Sequence, residues 1–68
     1  MVSKVKEYRI AKGITQKELG EIVNVSRQAI IAIEMDKYDP SIWLAYDLAK
    51  YFGVTIEELF EFKESERK

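Results

Sequence analysis

Arg27 and Gln28 stand together behind Ser26 at the head of a stretch with helical periodicity, and their side chains suit the reading of nucleic-acid bases. An arginine can pair through two hydrogen bonds with O6 and N7 of guanine, and a glutamine with N6 and N7 of adenine, each good pair carrying roughly 1–3 kcal/mol of base discrimination. The first turn of a helix laid in the major groove lies nearest to the base edges. Ile31 and Ala32, one turn on, share the same outward face and can offer methyl groups to thymine, Ile31 either doing so or packing on a neighbouring helix. Other chemistry is poorly supplied. The chain has no Cys and no His, which excludes a thiolate nucleophile, a His-based triad and a Cys/His zinc site. The carboxylates Glu7, Glu18 and Glu21 are spaced for exposed helix faces and capping rather than for metal or acid–base work. No cofactor, no metal and no catalysis are expected.

Punctuation in the sequence describes the elements that must hold these residues. Val2, Val5, Tyr8 or Arg9, and Ile10 recur near helical spacing between Val2 and Ala11, either as one helix or as a short leading strand followed by it, and Gly13 supplies a left-handed stop. Thr15 and Glu18 form a capping box. A second helix is predicted from Gln16 to about Val23, with Leu19, Ile22 and Val23 turned inward and Asn24 ending it. Ser26 caps a third, from Arg27 to about Met35. Asp36, Asp39 and Pro40 mark a turn, after which Ser41 caps a fourth helix from Ile42 to Phe52, buried through Leu44, Ala45, Leu48, Ala49 and Phe52. Gly53 stops it, and a second capping box at Thr55 opens a fifth from Ile56 to about Phe60. Phe60, Glu61 and Phe62 alternate as a short terminal β-strand would, and a charged, frayed tail is expected over residues 63–68.

Bulk properties agree with one small module spanning residues 1–68. Sixty-eight residues hold a single core. Eleven basic against twelve acidic side chains leave a net charge of −1, so no global field draws the chain to nucleic acid or membrane, and any such binding needs a local patch. The apolar runs are too short to cross a bilayer and no signal peptide opens the chain, so a cytoplasmic location is expected.

Two short helices joined by a tight turn, with Gly20 early in the crossing and Val25, Ile30 and Ile33 spaced to seal it, meet the requirements of a helix-turn-helix over about residues 16–35. From Tyr8 to Phe60 the chain resembles the small Cro/C1-type helix-turn-helix regulators, also called the xenobiotic-response-element family. The resemblance is carried by Y-R-I-A-K-G-I-T-Q-K-E-L-G, V-S-R-Q-A-I-I-A-I-E, K-Y-D-P-S-I-W-L-A and L-A-K-Y-F-G-V-T-I-E-E-L-F, in order. It implies an all-α, five-helix, lambda-repressor-like domain whose third helix enters the major groove of double-stranded DNA, as a homodimer on a palindromic site. It also implies that Gln16 binds a phosphate, that Lys37 and Tyr38 grip the sugar-phosphate backbone, and that Arg9 pairs with Glu34 in a structural salt bridge. Ser26 is placed to face a phosphate as well as to cap, and Lys17 is either a solvated charge or a phosphate ligand.

Met35-Asp36 replaces the Asn-Gly common in the family and sets a negative charge near DNA, while Ala29 and Ile31 replace polar residues. Residues 1–40 hold seven basic and six acidic groups and residues 41–68 hold four and six. One copy would therefore release few counterions, which favours binding as a dimer. Trp43, Tyr46, Ile56, Leu59, Phe60 and Phe62 are the expected interface, Trp43 lying either there or beside DNA. A repressor is expected, because occupancy alone blocks polymerase. The rival reading is an antitoxin, in which the same fold binds DNA and a protein partner.

Overall fold

Four helices start at a hydroxyl side chain that accepts a hydrogen bond from the backbone amide three residues on. Thr15 Oγ1 accepts from Glu18 at 3.0 Å, Ser26 Oγ from Ala29 at 3.1 Å, Ser41 Oγ from Leu44 at 3.1 Å and Thr55 Oγ1 from Glu58 at 3.1 Å. Each cap satisfies an amide that a helix start otherwise leaves orphaned. The computed structural model describes residues 1–66. In order these form β1 (Val2–Ser3), α1 (Val5–Lys12), α2 (Gln16–Val23), α3 (Arg27–Glu34), α4 (Ile42–Phe52), α5 (Ile56–Leu59) and β2 (Phe60–Glu61). A single 3-10 turn follows at Glu64–Glu66. The end of the expected tail, Arg67 and Lys68, lies outside the described residues.

Gly13, Asn24 and Gly53 end α1, α2 and α4 in the left-handed region. Both capping boxes are closed, with Glu18 and Glu58 accepting from the Thr15 and Thr55 amides. The fold is thus the five-helix one expected, with a small two-stranded sheet at its ends. There β1 and β2 run antiparallel, Val2 opposite Glu61 and Ser3 opposite Phe60.

One face differs from the sequence reading, and three boundaries are sharpened. Of the two openings considered, the leading strand is the one present, and α1 begins only at Val5. α3 closes at Glu34, with Met35 as its cap. α5 stops at Leu59, because Phe60 has already turned to extended backbone (φ −127°, ψ 119°) to pair with β1. Ile22, assigned to the buried stripe of α2, is exposed, while Leu19, Gly20 and Val23 face the interior.

The core lies where α2 and α3 meet α1 and α4, and α5 closes one end. Val5, Leu19, Ile30, Ile33, Leu48, Leu59 and Phe60 are its fully buried side chains. Each contributes about 1.5–3 kcal/mol relative to exposure, the usual yield for a large apolar side chain. Tyr8 and Tyr51 flank Phe52, with ring centroids 5.7 Å and 5.1 Å away. No polar or charged residue is fully buried among the described residues.

Candidate nucleic-acid interface

The turn between α2 and α3 is made by close backbone approach. The Val25 amide donates to the Gly20 carbonyl at 2.8 Å, and a Cβ on Gly20 would stand 2.7 Å from the Val25 carbonyl oxygen. Asn24 takes a φ of 62° between them. Val25 is half-buried against the core, so the turn is packed as well as bonded. With Ile30 and Ile33 buried beneath it, α3 directs the other side of its surface outward.

That outward surface opens with Ser26, Arg27 and Gln28, all exposed. Ser26 Oγ is occupied as the cap of α3, and one further lone pair remains on the hydroxyl. Ile31 and Ala32 follow and are only half-buried. Arg27 also borders an open basin of about 460 Å³, shared with Lys6, Arg9, Gly13, Ile14, Thr15, Gln16 and Lys17. The basin sits at the N-terminus of α2, where the helix dipole favours an anion. Gln16, Lys17 and Arg27 are therefore brought around one concavity. Lys37 and Tyr38, both exposed, stand beyond the opposite end of α3, about 12 Å along the helix axis at the usual rise per residue.

Behind the basin lies a bonded cluster. Arg9 Nε donates to Glu34 Oε2 at 2.7 Å and Arg9 Nη2 to Glu34 Oε1 at 3.3 Å, while Arg9 Nη1 donates to the Ile14 carbonyl at 2.9 Å. The two ionic side chains are 12% and 3% exposed. Gln16 Nε2 joins them by donating to Glu34 Oε1 at 3.1 Å. One Gln16 donor is thus used internally, and its amide keeps a second N–H and its oxygen for other partners. The sequence reading had no sign of this bond, which spans eighteen residues. It also passed over Lys6, although Lys6 precedes Arg9 by three positions and so shares its face of α1.

A scan against family models matches residues 5–59 to a helix-turn-helix family. The chain belongs to the Cro/C1-type helix-turn-helix regulators. This helix-turn-helix chain is 50% identical over 66 residues to an uncharacterized HTH-type transcriptional regulator of Methanocaldococcus jannaschii, covering 97% of this chain and 100% of that one. It is 44% identical to the uncharacterized HTH-type transcriptional regulator YgzD of Bacillus subtilis, over 94% of this chain and 97% of YgzD. It is 38% identical to the HTH-type transcriptional activator BcrR of Enterococcus faecalis, over 90% of this chain and 30% of BcrR.

A second surface of the helix-turn-helix chain is apolar. Ile42 and Trp43 are 69% and 74% exposed, and Trp43 meets Tyr46 edge-on with centroids 6.1 Å apart. Phe62 is likewise exposed. Tyr46, Val54 and the half-buried Ile56 line a trough of about 380 Å³ with Ala49, Lys50, Thr55 and Glu57. Leu59 and Phe60 do not belong to this surface. They are 0% and 1% exposed, because the β1–β2 pairing folds the end of α5 inward. Their assignment to an interface is corrected to the core. Ile42, which the sequence reading left out, is exposed next to Trp43. No helix among the described residues is long and apolar enough to cross a membrane, and no group of three or more acidic side chains among them is arranged to hold a metal ion.

Proposed function

We propose that the protein is a sequence-specific regulator of transcription that binds a palindromic operator in double-stranded DNA as a homodimer and acts as a repressor. The observation that carries this reading is the exposed Arg27–Gln28 pair at the first turn of α3, flanked by the basin at the head of α2. Arg27 and Gln28 read base edges, with Ile31 and Ala32 against thymine methyls. Gln16, Lys17 and Ser26 hold phosphates on one side, and Lys37 and Tyr38 hold the backbone on the other. Lys6 adds a positive charge to the first group.

Trp43, Tyr46, Ile56 and Phe62, joined by Ile42, form the dimer face. The exposure of Ile42, Trp43, Tyr46 and Phe62 supports this reading, with Trp43 against Tyr46 and the half-buried Ile56 in one trough with Tyr46, since clustered apolar side chains at the surface of a small domain mark interaction surfaces. With a net charge of −1, one copy gains little from counterion release, so two half-sites are needed for useful affinity. Repression requires nothing beyond occupancy of the operator.

The test is selection from a random duplex library with purified protein near physiological salt. Enrichment of a two-fold symmetric motif, with half-sites about one helical turn apart, is expected. Binding that appears only at low salt and without a preferred sequence sinks this reading and leaves the apolar face, as the surface for a protein partner, in charge of function.

A further inference from the structure

Asp36 directly follows the cap of α3 with a φ of 60°, and its Oδ1 accepts a 2.8 Å hydrogen bond from the Ser3 amide. The terminal ribbon makes that donor available. Ser3 opposes Phe60, and the next bond of the ladder runs from the Lys4 amide to the Leu59 carbonyl at 2.8 Å. In an antiparallel pair alternate residues turn their N–H groups away from the partner strand. Ser3 therefore presents its amide on the outer edge of β1, where Asp36 takes it. The Ser3 hydroxyl oxygen in turn accepts from the Val5 amide at 3.1 Å and fixes the step from β1 into α1. One carboxylate joins the exit of α3 to β1 and, through β1, to the strand that follows α5.

Next to this anchor stand Lys37 and Tyr38. The Lys37 amide donates to the Ala32 carbonyl at 2.9 Å, so the turn is bonded to α3 on one side and to β1 on the other. As a free charge beside a phosphate, Asp36 would oppose binding; held against a backbone N–H, it orders the turn instead. We infer that Asp36 is a positioning residue for DNA binding, which locks the turn carrying Lys37 and Tyr38 by accepting the Ser3 amide. The inference rests on the DNA-binding reading above.

Three variants of the full chain separate charge from anchoring. D36G keeps the left-handed backbone and loses the acceptor. D36N keeps an acceptor oxygen and tolerates the same φ, but loses the charge. S3P deletes the donor at an outward-facing strand position, where proline is accommodated, and is read against S3A, which keeps the amide but equally lacks the hydroxyl bonded to Val5. Affinity is measured for the duplex recovered by the wild type, and backbone order at residues 37–39 by 15N relaxation of the free proteins. D36G and S3P are expected to bind about tenfold more weakly, on the scale of one lost hydrogen bond, with increased motion at residues 37–39. D36N is expected to match the wild type or exceed it.

A loss of affinity shared equally by D36N overturns the inference, as does wild-type affinity in D36G. Unchanged order at residues 37–39 in both D36G and S3P overturns it as well, whatever the affinities. If the wild type recovers no duplex at all, the DNA-binding reading fails separately, and the relaxation measurement still decides whether Asp36 locks the turn.

Discussion

Arg9 and Glu34 face each other through a two-point contact, at 2.7 Å and 3.3 Å, that ties the middle of α1 to the last residue of α3. Because Gln16 also donates to Glu34, α1, α2 and α3 share one carboxylate. Their relative placement depends on it.

Removing either ion should therefore be costly. Glu34→Ala leaves the Arg9 guanidinium largely desolvated and without its partner, and a loss of about 3–5 kcal/mol is expected, as for other broken buried pairs. Arg9→Ala should cost a similar amount, and the double variant clearly less than the sum. Urea denaturation of the three proteins checks this. Additive losses would mean that the contact is not coupled.

Gly20→Ala sets two effects against each other. Alanine gains about 1 kcal/mol of helix propensity over glycine, but its Cβ would meet the Val25 carbonyl oxygen at 2.7 Å. That oxygen is backbone in a turn already bonded to Gly20, so it has little room to give, and overpacking of this kind costs about 1–3 kcal/mol. A net loss of stability is expected, with weaker DNA binding in step, as α3 is displaced. A rise in melting temperature would refute the close-approach argument.

Arg27→Ala and Gln28→Ala should relax base preference, each at its own half-site position, by about 1–3 kcal/mol, without loss of stability, since both side chains are exposed. Repeating the library selection with each variant shows this directly. Unaltered motifs from both would remove them from base reading.

Trp43→Glu should shift sedimentation toward the 8.0 kDa monomer and weaken operator binding while the chain stays folded. Phe60→Glu should instead unfold it, because a charge would replace a side chain that is fully buried. A folded, dimeric Trp43→Glu protein would move the interface elsewhere.

Acid should weaken the start of α2. The Thr15 amide donates to Glu18 Oε1 at 2.8 Å and, with the Thr15 side chain, holds the Glu18 carboxyl below its ordinary range. A lowered value in the folded state means that the stabilisation is complete above the unfolded value, about 4.3, and is lost as the pH falls through the folded one. The stability advantage of the wild type over Glu18→Gln should be largest near neutral pH and should shrink as the pH falls below the unfolded value and through the folded one. Parallel profiles would show that the carboxylate adds nothing there.

Much of the fold was readable because its signals are local. A hydroxyl followed three residues later by Glu closes its box within one turn, so the starts of α2 and α5 follow from Thr15–Glu18 and Thr55–Glu58 alone. Val2 and Val5 are ambiguous by contrast, since a spacing of three fits a helix and only pairing with Glu61 and Phe60, at the other end of the chain, makes Val2–Ser3 a strand. The same pairing buries Leu59 and Phe60, and apolar content cannot distinguish a ring that lids the core from one that faces a partner. Base-reading candidates were visible as residue types at a helix start. The Gln16–Glu34 and Asp36–Ser3 bonds were not, because each depends on a tertiary meeting that no short window contains.

The pairing of Val2 with Glu61 also bears on the order of assembly. Helices and their caps form from neighbours, whereas this contact closes a loop of nearly the whole chain and bears a large entropy of closure. The ribbon should be the last part to form and the first to open in native-state hydrogen exchange, with the Lys4 amide losing protection before those inside α2 and α4. Leu59 and Phe60 would then surface together, so the temporary exposure of a sticky end would set this domain's tendency to aggregate under mild destabilisation.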